Sequence, residues 1–131
     1  MTNLPLTSFV TLLIALLMFG TGVNVGIARG KYGVKAPAVS GHEMFERAYR
    51  IQMNTLETAA ILLPALWMYA AFMGDKGAAI GGGIWLVARV WYAVAYQRLP
   101  SSRGAAFGIS AAAFAGLWLG ALWGVGRMLM H

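Results

Sequence analysis

From Leu4 to Ala28 the chain runs about 25 residues without a charge, enough at 1.5 Å per helical residue to cross the roughly 30 Å hydrocarbon core of a bilayer. Comparable apolar stretches follow it. The second is expected to start near Gly41 or His42 and run to about Met73, the third covers Ala78 to about Arg98, and the last covers Ala105 to Leu129. Only short polar breaks separate them: Arg29 to Gly41, Gly74 to Gly77 and Leu99 to Gly104. Backbone polar groups in hydrocarbon must be satisfied within the protein, which makes helices the expected solution. At 60% hydrophobic and 11% charged, 131 residues could not clothe a soluble globule. The expected fold is an all-α membrane protein, a four-transmembrane-helix bundle, with residues 1–131 forming a single domain. The first stretch lacks a basic leader and exceeds the roughly 7 to 15 apolar residues of a signal peptide, so it reads as a retained span.

Details of the connections follow from local chemistry. Ser40 with Glu43 has capping-box spacing and makes Ser40 the expected N-cap of the second helix. Pro64 predicts a kink within it. Gly81, Gly82 and Gly83 permit close backbone approach. Small residues recur every four positions at Gly22, Gly26 and Gly30, and again from Gly104 through Gly108, Ala112, Gly116 and Gly120 to Gly124, as expected of a packing seam.

The net charge of +6 is not distributed like a nucleic-acid-binding surface. Arg29, Lys31, Lys35, Arg47 and Arg50 gather around the first connection, and Arg98 and Arg103 around the third, against Lys76 and Arg127 on the opposite side. The positive-inside rule then puts both termini outside and the first and third connections in the cytoplasm. The chain has no cysteine, and His42 and His131 lack any metal-ligand spacing, so neither a thiol nucleophile nor a metal site is expected.

Two helical stripes carry the remaining chemistry. At 100° per residue, Arg47, Arg50, Asn54, Glu57, Thr58 and Ile61 fall within about a quarter-turn, while Gln52 lies nearly opposite. Charge in hydrocarbon costs about 2.5 to 3.5 kcal/mol per residue, so that stripe faces protein, water or a ligand. In the third span Trp85, Arg89, Tyr92, Tyr96 and Leu99 share another face. Arg89 lies deep enough to pair with Glu57 across the two helices. Glu43 with Arg47 and Glu46 with Arg50 have favourable i, i+4 order, which leaves Arg29, Arg98 and Arg103 freest for a ligand. Arginine forks suit carboxylates, and a carboxylate beside them suits an amine; a ligand with two carboxylates and one ammonium matches the inventory.

The run from Phe45 to Glu57, with its R-x-Q-x-N-x-x-E pattern, and the run from Ala88 to Tyr96, with R-x-x-Y-x-x-x-Y, resemble the MAPEG family of membrane-associated proteins in eicosanoid and glutathione metabolism. The resemblance implies a homotrimer that binds glutathione as co-substrate between adjacent subunits near the cytoplasmic face. It implies that Arg50, Asn54, Glu57, Tyr92 and Tyr96 hold the γ-glutamyl end, that Arg29 and Gln52 meet the glycine carboxylate, and that Arg103 is the catalytic group facing the thiol. Arg50 and Gln52 point apart on one helix, so a single ligand reaches both most simply from two subunits. The activity implied is glutathione transfer to hydrophobic electrophiles entering from the lipid, with glutathione peroxidase action on lipid hydroperoxides as an extension. Thr58 and Gly30 stand where the family's leukotriene-forming enzyme has tyrosine and arginine, and Pro64 lies later than the usual proline. A non-catalytic lipid-binding scaffold is the rival reading. A small multidrug transporter fits less well, because the first span carries no glutamate.

Overall fold

A computed structural model describes residues 3–131. It consists of α1 (Pro5–Tyr32), α2 (Glu43–Met73), α3 (Asp75–Arg98), a 3-10 turn (Pro100–Arg103) and α4 (Gly104–Leu129). Four helices are long and apolar enough to cross a membrane, the last counted together with its leading 3-10 turn. Outward-facing Phe9, Leu12, Phe19, Val87 and Leu119 are exposed. Such a surface is stable in lipid and would be an aggregation surface in water.

The helix ends explain most of the boundaries. Pro5 opens α1, where its missing N–H costs nothing. The next two N–H groups are taken from a distance: Leu6 N donates to Asp75 Oδ2 at 3.0 Å and Thr7 N to Asp75 Oδ1 at 2.8 Å. The first residue of α3 thus caps α1. At the other end α1 continues past Ala28 to Tyr32, four residues beyond its apolar run, and ends in a left-handed Gly33 with Val34 N bonded to Arg29 O at 3.1 Å.

The N-cap of α2 is His42 rather than Ser40; its Nδ1 accepts from Met44 N at 3.1 Å. The acid that reaches back is Glu46, which accepts from Gly41 N at 3.2 Å, so the capping exchange is displaced from the Ser40–Glu43 spacing. That contact also takes Glu46 away from Arg50. α2 passes through Pro64 as one element. The turn expected over Gly74 to Gly77 contracts to Gly74 alone, whose φ of 123° reverses the chain so that Asp75 already begins α3.

α2 and α3 form the middle of the bundle, packed on each other and each against both α1 and α4. Their shared core contains Ile14, Leu62, Leu66, Ala78, Trp85 and Leu117. Gly82 sits at a close approach of the helices: a Cβ there would lie 2.9 Å from Val10 Cγ1 and 3.0 Å from Leu66 Cδ1. The small-residue series of α4 is only partly an intrachain seam. Gly120 and Gly124 pack on Tyr69, Phe72 and Met73, whereas Gly104, Gly108 and Gly116 face open space. A second cluster, with Val25, Ala28, Val34, Phe45 and Ala48, clamps the first connection between the ends of α1 and α2.

Candidate functional site

The polar stripe of α2 and the tyrosine stripe of α3 meet at the end of the bundle that carries the 3-10 turn. Between them lies a cavity of about 260 Å³. α2 contributes Arg50, Met53, Asn54 and Glu57, and α3 contributes Tyr92 and Tyr96. The wall is completed by Arg103, at the end of the 3-10 turn, and by Phe107 one turn into α4. Six of the predicted site residues therefore share one space, although they come from three separate stretches of chain.

The aromatic side is built of neighbouring, mutually tilted rings. The Tyr92 ring is 5.7 Å from that of Tyr96 and 6.4 Å from that of Phe107. Arg103 lies over the Tyr96 ring, its guanidinium carbon 5.1 Å from the centroid, and Nη1 donates to Pro100 O at 2.9 Å. Those contacts orient the guanidinium, while the side chain stays exposed to the cavity mouth. Arg50 and Glu57 are exposed and make no ion pair; among the described residues the one ion pair is Arg47–Glu43, at 2.7 Å. A cavity with one uncommitted guanidinium, a second held at its wall with donors to spare, and a single uncommitted carboxylate can hold a ligand that is both acid and amine.

Other predicted residues go elsewhere. Arg29, expected to be free, donates from Nη1 to Ala38 O at 2.7 Å and lies 4.9 Å from the Phe45 ring centroid. It staples the first connection, whose turning carbonyls need a donor. Gln52 faces α1, its amide nitrogen 3.1 Å from the position a Cβ would take on Gly22. Neither Arg29 nor Gln52 lines the cavity. The Arg89–Glu57 pair is not formed: Arg89 Nη2 donates instead to Asn54 Oδ1, at 2.5 Å. Asn54 is one turn nearer the helix entrance and turned toward α3, whereas Glu57 is exposed and lines the cavity. The Glu46–Arg50 pair is likewise absent, because Glu46 is bonded to Gly41.

Two features were not anticipated from the sequence. Phe107 follows Arg103 by four residues, so helical spacing alone could have put it on the same face. Arg47 departs from its stripe: Nη1 donates to Gln97 O at 3.0 Å and Arg98 O at 3.1 Å, capping the C-terminus of α3 from α2. Nothing in its spacing distinguishes it from Arg50. Further along α2 and α4 lies a second space, an apolar groove of about 420 Å³ whose lining includes Ala60, Ile61, Pro64, Phe114 and Trp118. Among the described residues no group of three or more His, Asp or Glu could hold a metal.

The chain is 40% identical over 121 residues to an uncharacterised protein of Synechocystis, covering 92% of this chain and 88% of that one. It is 37% identical over 117 residues to leukotriene C4 synthase of Bos taurus, covering 89% and 76% respectively. Against microsomal glutathione S-transferase 2 of Homo sapiens the identity is 34% over 88 residues, covering 67% and 60%. The family model described as MAPEG matches residues 7–123, which reaches from α1 into α4 and includes the whole cavity, and the chain is an integral, multi-pass membrane protein of the MAPEG family.

Proposed function

We propose that the protein is a membrane-bound glutathione transferase that conjugates the glutathione thiolate to hydrophobic electrophiles. The observation that carries this reading is the convergence of Arg50, Asn54, Glu57, Tyr92, Tyr96 and Arg103 on one cavity beside an apolar groove. The γ-glutamyl end occupies the α2 wall, with its carboxylate toward Arg50 and its ammonium toward Glu57. Arg103 faces the sulfur. A free thiol has a pKa near 8.5, and a guanidinium beside it favours the thiolate; each tenfold gain in that equilibrium is worth about 1.4 kcal/mol. The thiol proton leaves to solvent at the exposed mouth. The sulfur lone pair then attacks an electrophilic carbon reaching it along the apolar groove, the C–S bond forms, and the leaving group departs with its electron pair. Arg103 stabilises negative charge through these steps.

Arg29 and Gln52 lie outside the cavity and face another side of the bundle. A homotrimer would bring these residues of one subunit beside the cavity of the next, completing the grip on the glycine carboxylate. The site opens to the cytoplasm in the orientation that the basic residues favour.

Purified protein in detergent is expected to conjugate glutathione to chlorodinitrobenzene, displacing chloride. The Arg103→Ala variant is expected to lose at least roughly tenfold in kcat, in the range seen when a charge-stabilising donor is removed. An Arg103→Ala variant with full rate removes Arg103 from the chemistry. Glutathione binding by the unmodified protein without any turnover would favour the lipid-binding scaffold.

A further inference from the structure

The most costly side chain in the bundle is Arg89. It is 0% exposed, lies in the middle of α3, and has no carboxylate within ion-pair distance. A buried arginine in a membrane span needs compensation. Here it comes from the Tyr92 ring, 4.0 Å from the guanidinium carbon, from the Trp85 ring at 5.9 Å, and from Asn54 Oδ1. Among the described residues Nε and Nη1 are buried without a partner.

The consequence falls on Asn54. A guanidinium has donors and no acceptor, so only the oxygen end of the Asn54 amide can face it. Turning the amide over would set N–H against N–H and strand a third buried donor on Arg89. The nitrogen end is thereby assigned to the other side. Among the described residues Asn54 Nδ2 has no protein partner and is not buried, and Asn54 lines the cavity. The unpaired charge of Arg89 behind the amide polarises it further and strengthens Nδ2 as a donor.

We infer that Arg89 is a positioning residue that holds Asn54 with its amide nitrogen toward the cavity, so that this wall accepts the α-carboxylate of the γ-glutamyl group. The inference rests on the glutathione reading above. Arg50 and Asn54 then form a donor pair for the carboxylate, and Glu57, the one acid lining the cavity, takes the ammonium on the same carbon. A ligand lacking that carboxylate loses its contacts with both donors.

The test titrates detergent-purified protein with glutathione and with an analogue in which the γ-glutamyl α-carboxylate is replaced by hydrogen. Asn54→Asp keeps an oxygen against Arg89, now charged, but presents no donor to the ligand. It is expected to be at least as heat-stable as the unmodified protein and to bind glutathione at least roughly tenfold more weakly. Arg89→Leu is expected to weaken glutathione binding part of the way to the level of the analogue, Arg50 remaining as a donor, while leaving analogue affinity unchanged, and Arg89→Lys, again a donor only, to recover part of that loss. Undiminished glutathione binding by Asn54→Asp overturns the inference, as does a lower unfolding midpoint in that variant or an equal loss of both ligands in Arg89→Leu. Absence of glutathione binding by the unmodified protein overturns the transferase reading itself, a result distinct from binding that survives Asn54→Asp.

Discussion

Replacing Arg47 by methionine separates its hydrogen bonds from its bulk. The side chain is 18% exposed and bridges two helices: Nη2 reaches Glu43, and Nη1 spans the last two carbonyls of α3, Gln97 O and Arg98 O. Methionine keeps most of the apolar stem and removes all three contacts. The bond to Gln97 O is part-buried, so a charge-assisted bond there is worth about 1.5 kcal/mol. The bond to Arg98 O is exposed, water can replace it, and its loss costs well under 1 kcal/mol. The ion pair has a partner that is 76% exposed, and at i, i+4 it contributes about 0.4 kcal/mol. Arg47→Met is therefore expected to destabilise by about 2 to 3 kcal/mol, and Glu43→Gln by no more than about 0.5 kcal/mol. Denaturant-induced unfolding of the protein in detergent micelles, followed by tryptophan fluorescence, reads both. The loss also reaches the site, since Tyr96 precedes the capped carbonyls and Arg103 follows them across the 3-10 turn. Equal losses in the two variants would show that the ion pair, and not the capping of α3, accounts for the contribution of Arg47. An Arg47→Met variant as stable as the unmodified protein would refute the capping account altogether.

Two further outcomes follow from the packing and the helix ends. Gly82→Val introduces branched carbon where Val10 and Leu66 already close the gap, and is expected to cost about 1 to 3 kcal/mol by overpacking, whereas Gly83→Val, with open space around it, is expected to be nearly neutral in the same unfolding assay. Asp75→Ala leaves Leu6 N and Thr7 N without their acceptor and is expected to lower the thermal midpoint, with Asp75→Asn falling between; glutathione affinity, measured at the opposite end of the bundle, should be unchanged in both.

Helical periodicity made part of the site legible in advance. Arg50, Asn54 and Glu57 share a face in any helix, and Tyr92 and Tyr96 share one in another, because their spacing admits no other geometry. The partners of those faces were harder to read. Asn54 and Glu57 are one turn apart on α2, both within reach of an arginine on α3, and the sequence offers no reason to choose between them; the choice of Asn54 depends on how α2 is rotated about its axis. Arg29 was legible as a cation near the membrane surface but not as the donor that holds Ala38 O, since irregular connections carry no period from which carbonyl directions could be inferred. The displacement of the α2 cap from Ser40 to His42 has the same origin.

What the sequence by itself determined is the architecture: four apolar stretches with short polar breaks leave a chain of this composition little but a helical membrane bundle, because unsatisfied backbone in lipid is too costly. What only the tertiary structure decided is which charged groups are committed and which are available. Arg29, Arg47 and Arg89 are held by carbonyls and an amide and do not line the cavity, whereas Arg50 has no protein partner among the described residues and Arg103, bonded to Pro100 O, is held at the cavity wall. The physical reason is that a guanidinium reaches whatever acceptor lies within a few ångströms of its fork, and those distances exist only after the helices have packed.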